Sequence, residues 1–124
     1  MTTAWVFPGQ GSQTAGMGSD LVELPGASER LAQAESLLGW SVLDLTEAQL
    51  KQTQYTQPAL FVVEAILAEQ LLPHRQPDCV AGHSLGEYSA LYCAGAFDFE
   101  TGLTLVAKRS QLMSEVTGGT MTAV

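Results

Sequence analysis

Two short apolar runs interrupt a chain that is otherwise patterned for helices. Residues 4–7 read AWVF and stop at Pro8-Gly9, and residues 79–81 read CVA and lead into Gly82. The first run shows no alternation of apolar and polar positions, which is typical of a strand buried on both faces of a parallel sheet. We predict a strand at each run, with the first strand covered on both faces.

The rest of the chain has helical spacing, broken by glycine and proline. Pro58 suits a first helical turn, and the residues after it as far as Leu71 are apolar nearly all round, which is typical of a helix buried against a sheet or another helix. The polar residues 51–57 before it are predicted to form a loop. Further helices are predicted from Ser19 toward Leu24, over 28–38, over 87–94, and from a cap at Asp98 or Thr101 to Gly118-Gly119, while residues 40–50 form a short amphipathic stretch.

The order of the elements predicts the fold class. A strand, several helices, a second strand and two helices are followed by a β-like run over residues 120–124, which is an α/β layout. Two or three strands make a thin sheet, and the sequence ends inside the last run. We therefore expect the chain to be part of a larger α/β domain.

Charge and composition exclude several classes of function. The chain of 124 residues carries a formal charge of −8, and its five basic residues are scattered, so neither nucleic acid nor an anionic membrane is an expected partner. No stretch is long and apolar enough to span a bilayer, and no basic, hydrophobic leader begins the sequence, which predicts a cytoplasmic protein, or a soluble protein of an organelle whose targeting peptide is absent from this sequence. Cys79 and Cys93 lack metal-ligand spacing and are expected to be buried free thiols.

The candidate chemistry centres on Gly82-His83-Ser84-Leu85-Gly86. This G-x-S-x-G pattern lies between a predicted strand and a predicted helix, which is the setting of a nucleophile elbow. Ser84 would then expose its hydroxyl at a helix N-terminus, and the N–H of Leu85 would face charge developing on a bound carbonyl. The alternative is a turn of small residues in which Ser84 only caps the helix.

A serine nucleophile needs a general base, and the sequence offers two histidines. His83 is adjacent to Ser84, and neighbouring side chains at a sharp elbow point apart, so its simpler interpretation is a hydrogen-bonded packing residue behind the turn. His74 lies in a polar connection and is expected at the surface. The base is therefore expected outside these 124 residues, since catalytic triads recur in different chain orders.

Two further features have both a structural and a functional interpretation. The loop over residues 10–18 is rich in glycine and amides, and is either a connector or a wall of the site, although it lacks the ending of a phosphate-binding loop. Arg109 interrupts a largely apolar helix. It is either a surface cation near a helix end or a guanidinium that grips a carboxylate through two hydrogen bonds.

Taken together, four motifs closely resemble the malonyl-CoA:acyl carrier protein transacylases, a family that includes the acyltransferase domains of fatty acid and polyketide synthases. The resemblance extends over essentially the whole chain. The motifs are VFPGQGSQ at residues 6–13, YTQPAL at 55–60, AGHSLGEYSAL at 81–91, and Arg109.

The resemblance implies a role for each site residue. Ser84 would accept malonyl from coenzyme A as an ester and pass it to the phosphopantetheine thiol of acyl carrier protein. The backbone N–H groups of Gln10 and Leu85 would form the oxyanion hole, and Arg109 would pair with the malonyl carboxylate. His83 and Gln57 would help to shape the substrate site. The expected partners are malonyl-CoA and acyl carrier protein, with no metal and no cofactor beyond the partner's phosphopantetheine.

The resemblance also implies a division of the chain. Residues 1–119 would form part of an α/β-hydrolase-like acyltransferase subdomain, and residues 120–124 would begin a ferredoxin-like small subdomain. The catalytic histidine belongs to the part of the family fold that lies beyond this stretch. The chain is thus expected to be inactive alone, or to need a partner chain that supplies the histidine.

Two alternatives remain at this point. A serine esterase or thioesterase would share the elbow and release the acyl group to water, but the Gly9–Gln13 stretch and the lack of an HGGG-type motif argue against it. A non-catalytic protein, either truncated or half of a split enzyme, would explain why no base is present.

Overall fold

The computed structural model describes residues 1–120 and 122. Within these residues, two strands and five α-helices follow one another, with short 3-10 turns at Ser19–Leu21 and Val42–Asp44. In chain order the elements are β1 (Ala4–Phe7), α1 (Ala27–Leu38), α2 (Glu47–Leu50), α3 (Thr53–Leu71), β2 (Cys79–Gly82), α4 (Gly86–Cys93) and α5 (Phe99–Ser114).

The two strands pair in parallel, with Ala4 opposite Cys79 and Phe7 opposite Gly82. This confirms the predicted α/β class. The prediction that β1 is covered on both faces is wrong, because Phe7 packs against α3 and α4 while Val6, on the other face, is 77 % exposed. An apolar run indicates that a strand tends to be buried, but it does not show how many faces are covered. Among the described residues, helices cover only one face of β1.

The core is built around α3. Eleven of its residues are buried, and it packs against both α4 and α5, as the apolar pattern after Pro58 predicts. Phe61 lies beside Phe99 and Tyr92, with ring centroids 5.8 and 5.9 Å apart, which joins the three helices through one aromatic cluster. The elbow at the end of β2 is therefore placed by a rigid helical layer.

The start of α3 differs from the prediction. The helix begins at Thr53, so the prediction of a loop over residues 51–57 is wrong from Thr53 onward, and Pro58 lies inside the helix. Proline cannot donate to the carbonyl four residues earlier, which belongs to Gln54. The Ser110 hydroxyl of α5 donates to that carbonyl at 3.5 Å, which gives it a long hydrogen bond from a neighbouring helix.

Helix α5 differs from the prediction at both ends. Asp98, rather than Thr101, caps α5, since its carboxylate accepts from the Thr101 N–H at 2.8 Å. The helix ends at Ser114 and not at Gly118-Gly119. The predicted β-like run over 120–124 falls mainly on residues outside those described, so the division at residues 119 and 120 stays a prediction.

The cysteines are less buried than predicted. Cys79 is exposed because it lies on the uncovered face of the sheet, and Cys93 is half-buried on α4, where burial raises the pKa of its thiol. Among the described residues, no helix has the length and apolar character needed to cross a membrane.

Candidate active site

Ser84 occupies a strained turn between β2 and α4. Its backbone φ is 55°, and it is the one non-glycine residue with positive φ among the described part of the chain. The left-handed conformation costs an ordinary residue on the order of 1 kcal/mol, and it persists only where the surroundings enforce it. The turn leaves the Ser84 side chain exposed just before the first residue of α4.

Two glycines make this turn sterically possible. A Cβ on Gly82 would lie 2.1 Å from the carbonyl carbon of Gly86, and a Cβ on Gly86 would lie 2.0 Å from the Phe7 carbonyl oxygen. Both distances are far below van der Waals contact, so only hydrogen fits at either position. The outer glycines of the G-x-S-x-G pattern are therefore required by the packing of β2 and α4 against β1.

The end of β1 lies against the elbow and brings the Gln10 loop with it. The His83 N–H donates to the Phe7 carbonyl at 3.0 Å, and a Cβ on Gly9 would lie 2.4 Å from the His83 carbonyl oxygen. Within residues 1–120 and 122, neither the N–H of Gln10 nor that of Leu85 is paired with an acceptor. Two free donors thus flank the turn that holds Ser84.

Arg109 on α5 reaches the serine. Its Nη2 lies 3.1 Å from Ser84 Oγ, its Nη1 donates to Gln57 Oε1, and its Cζ lies 5.5 Å from the centre of the Tyr88 ring. These three partners are neutral, and no carboxylate pairs with Arg109 among the described residues. The interpretation of Arg109 as an isolated surface cation is wrong, because its guanidinium is bound beside the candidate nucleophile.

Thr53 links the other predicted site residues, and sequence reasoning missed it. Its hydroxyl donates to Gln10 Oε1 at 2.9 Å and accepts from Gln57 Nε2 at 2.6 Å. With the contacts of Arg109, this makes a continuous chain of side chains from Gln10 through Thr53, Gln57 and Arg109 to Ser84. The sequence feature that could have indicated this contact is the spacing of four residues between Thr53 and Gln57. Such a spacing brings two side chains together only if both residues lie on a helix.

Neither histidine is placed as a base for Ser84. His74 is exposed in the loop after α3, and the side chain of His83 is exposed and makes no hydrogen bond to the described residues. The prediction of a hydrogen-bonded packing role for His83 is therefore wrong, although it does lie beside Gly9 near the site. Among the described residues, Arg109 supplies the one side-chain hydrogen bond to Ser84 Oγ, and no three His, Cys, Asp or Glu side chains form a metal-binding group.

A buried carboxyl lies beside the helix that follows the elbow. Glu64 is 6 % exposed, and neither of its oxygens has a hydrogen-bond partner among the described residues. It lines an apolar cavity of about 510 Å³ between β1 and α3. Burial raises the pKa of this carboxyl to about 8, partly offset by the nearby Ser89 hydroxyl, although no well-oriented bond joins the two. The folded chain therefore favours the neutral acid at neutral pH.

Comparisons with known proteins show which family this chain belongs to. The family model described as the acyl transferase domain matches residues 4–124. A malonyl CoA-acyl carrier protein transacylase from Synechocystis sp. PCC 6803 is 59 % identical over 100 % of this chain and 44 % of its own length. The polyketide biosynthesis malonyl CoA-acyl carrier protein transacylase PksC of Bacillus subtilis is 51 % identical over 97 % of this chain and 43 % of its own length. The chain thus spans less than half of each relative.

Solved structures show the same similarity in three dimensions. The crystal structure of the Synechocystis transacylase matches with a TM-score of 0.93 at 60 % identity, covering 96 % of this chain and 42 % of the other. A malonyl-transacylase in complex with its type II PKS acyl-carrier protein matches with a TM-score of 0.85 at 40 % identity, covering 93 % of this chain and 40 % of the other.

Proposed function

We propose that this chain, which belongs to the acyl transferase domain family, carries the nucleophile and the carboxylate-binding group of a malonyl-CoA:acyl carrier protein transacylase. The observation that supports this best is the guanidinium of Arg109, which lies 3.1 Å from Ser84 Oγ and has no acidic partner among the described residues. A free cation beside an exposed serine suits an acyl group that carries its own carboxylate.

The first half-reaction forms an ester on Ser84. Its Oγ attacks the thioester carbonyl of malonyl-CoA, the hydroxyl proton passes to a general base, and the carbon–sulfur bond breaks to release coenzyme A. The unpaired N–H groups of Gln10 and Leu85 are suited to stabilise the oxyanion of the tetrahedral intermediate, and the N-terminus of α4 adds its partial positive charge. In the second half-reaction the phosphopantetheine thiol attacks the ester by the reverse steps.

Arg109 provides selectivity for malonyl over acetyl. A carboxylate that takes both Nη groups replaces the neutral hydrogen bond to Ser84, which frees the nucleophile as the substrate arrives. Gln57 keeps its hydrogen bond to Arg109 Nη1 and so holds the guanidinium in the orientation that directs Nη2 toward Ser84. His83, exposed beside Gly9, borders the same site.

The general base comes from outside the described residues in this proposal. His74 is exposed in the loop after α3, and neither His74 nor His83 makes a hydrogen bond to Ser84 Oγ among the described residues. The chain therefore acts together with a further polypeptide segment or a partner chain that supplies the histidine.

Acyl carrier protein is the proposed second substrate, in fatty acid synthesis. Relatives with polyketide names share the same domain, and the partner in either case is a carrier with a phosphopantetheine thiol. Lys108 is exposed on α5 next to Arg109 and offers a positive charge to an acidic carrier on an otherwise acidic chain. The protein is proposed to work in the cytoplasm without a cofactor of its own.

Malonylation of Ser84 tests the proposal. The purified chain is incubated with malonyl-CoA, with and without added imidazole as a substitute base, and the ester is located by mass spectrometry. We expect slow acylation that imidazole accelerates, transfer of malonyl to holo-acyl carrier protein, and no ester in Ser84→Ala. The absence of any ester, even with imidazole, would contradict the proposal.

The same experiment distinguishes a transacylase from the alternative, an esterase. An esterase would release malonate to water at the rate at which coenzyme A appears, whether or not carrier protein is present. A transacylase would keep the ester until the carrier thiol arrives.

A further inference from the structure

Thr53 lies where two parts of the candidate site meet. It is the first residue of α3 and is half-buried, between the loop that carries Gln10 and the side chain of Gln57. A threonine hydroxyl can donate one hydrogen bond and accept two, and here it donates to Gln10 Oε1 and accepts from Gln57 Nε2. One hydroxyl therefore ties the loop that follows β1 to the first turns of α3.

These bonds fix the orientation of the Gln57 amide. Its NH₂ group faces two acceptors, Thr53 Oγ1 at 2.6 Å and Met113 Sδ at 3.3 Å, and its oxygen faces the guanidinium of Arg109. The reversed amide would place NH₂ against the donors of Arg109 and oxygen against a sulfur that cannot donate. One orientation alone satisfies all three neighbours.

Gln57 depends on this hydroxyl because it has no access to water. The residue is 1 % exposed, so a lost partner cannot be replaced by solvent. Without the hydroxyl, Gln57 Nε2 would keep only a thioether sulfur, which is a weak acceptor. The amide would then lose its fixed orientation, and with it the contact that aligns Arg109.

We propose that Thr53 is a positioning residue that couples the Gln10 loop to the guanidinium of Arg109, so that the oxyanion donor and the carboxylate-binding group are set together. It contacts no reacting atom and acts through Gln10 and Gln57. The consequence for substrate choice rests on the function proposed above, whereas the hydrogen-bond relay does not.

The relay can be tested by NMR without any substrate. The side-chain NH₂ signals of Gln57, assigned by their disappearance in Gln57→Glu, are compared in the parent chain, Thr53→Val and Thr53→Ser. We expect these signals and the Arg109 Nε–H signal to shift in Thr53→Val and to stay near their original positions in Thr53→Ser, which keeps the hydroxyl. Thr104→Val is the matched control, because the Thr104 hydroxyl bonds only to the Glu100 carbonyl of its own helix.

Binding of malonyl-CoA and acetyl-CoA tests the consequence. In Thr53→Val we expect about a tenfold weaker affinity for malonyl-CoA, the cost of one buried hydrogen bond, and a change below about twofold for acetyl-CoA. Thr53→Ser should restore the preference. A general loss of folding would weaken both ligands alike, so the ratio of the two affinities identifies a positioning role.

The two proposals fail in different ways. If the parent chain shows no preference for malonyl-CoA, the proposed function is wrong, while the NMR comparison still decides the relay. If the parent prefers malonyl-CoA and Thr53→Val keeps the full preference, or if the Gln57 signals do not move, Thr53 has no positioning role.

Discussion

The two arginines that contact aromatic rings, Arg30 and Arg109, have opposite environments. Arg30 on α1 pairs with the Glu69 carboxylate at 2.8 Å, and its Cζ lies 4.9 Å from the centre of the Phe99 ring. Arg109 on α5 also lies over a ring, that of Tyr88, but its hydrogen-bond partners are an amide and a hydroxyl. One positive charge is compensated within the fold and the other is not.

The difference separates a structural cation from a functional one. Arg30 joins α1, α3 and α5, its charge is paired with the Glu69 carboxylate, and each of its three nitrogens already has an acceptor. Arg109 is oriented by an amide and a hydroxyl, which leave its charge uncompensated, and it can exchange the hydroxyl of Ser84 for a carboxylate at a gain. The comparison predicts that loss of Arg30 affects stability and that loss of Arg109 affects ligand choice.

Replacing Arg109 should have the largest effect. In Arg109→Ala we expect affinity for malonyl-CoA to fall by about three-hundredfold, because a charge-assisted pair with two hydrogen bonds is lost, and affinity for acetyl-CoA to change by less than about threefold. Calorimetric titration with each thioester measures both. Equal losses for the two ligands would remove the proposed role of Arg109.

Glu64 extends the comparison to a buried group with no counter-ion. Because burial raises its pKa from 4.5 to about 8, the folded chain keeps a proton that the unfolded chain releases within this window. The free energy of unfolding contributed by Glu64 therefore falls as the pH rises through the window, and is constant below 4.5 and above about 8.

The prediction is checked with Glu64→Gln, which mimics the neutral acid. Between pH 5 and pH 7.5, the parent chain should lose roughly 3 kcal/mol of stability relative to this variant in urea unfolding. Glu35→Gln, which replaces a carboxylate by an amide at an exposed position of α1, is the control. A stability difference between the parent chain and Glu64→Gln that stays constant across this pH range would contradict the prediction.

The effect of replacing Arg30 should be smaller and should be confined to the stability of the fold. Arg30→Met keeps much of the apolar stem and removes the ion pair with Glu69 and the contact with Phe99, so we expect a loss of about 2 kcal/mol in the free energy of unfolding. The ratio of malonyl-CoA to acetyl-CoA affinity should be unchanged. A shift in that ratio would contradict the distinction between a structural Arg30 and a ligand-binding Arg109.

The smallest effect is expected at Tyr92, whose hydroxyl donates to Glu69 and accepts from Arg30 Nη2 at 3.4 Å. Tyr92→Phe keeps the ring packed against Phe61 and should cost about 1 kcal/mol in urea unfolding. A cost equal to that of Arg30→Met would mean that the hydroxyl, and not the ion pair, holds the cluster together.

The elbow was predictable from sequence because its requirements are local. The sharp turn from β2 into α4 requires glycine at positions 82 and 86, and Ser84 lies between them in the sequence itself. The importance of Arg109 was also visible, since a lone cation on an apolar helix needs an explanation. Its partners were not, because they lie on other elements.

The errors came from neighbours distant in sequence. Local rules place Pro58 in the first turn of a helix, whereas in the structure it lies inside α3 and the Ser110 hydroxyl of α5 donates to the Gln54 carbonyl that proline leaves without an intrahelical donor. With residues 51–57 predicted as a loop, Thr53 has no defined position relative to Gln57. In the structure both residues lie on α3, one turn apart. The exposure of Val6 and Cys79 likewise depends on which face of the sheet the helices cover.

The most direct test of the central claim is a competition for Ser84. The chain is given equal concentrations of malonyl-CoA and acetyl-CoA with imidazole as the base, and the acyl group on Ser84 is identified by mass spectrometry, in the parent and in Arg109→Ala. The account predicts that malonyl predominates in the parent and that the preference disappears in the variant. Equal acylation in the parent, or a malonyl preference that survives the loss of Arg109, would contradict it.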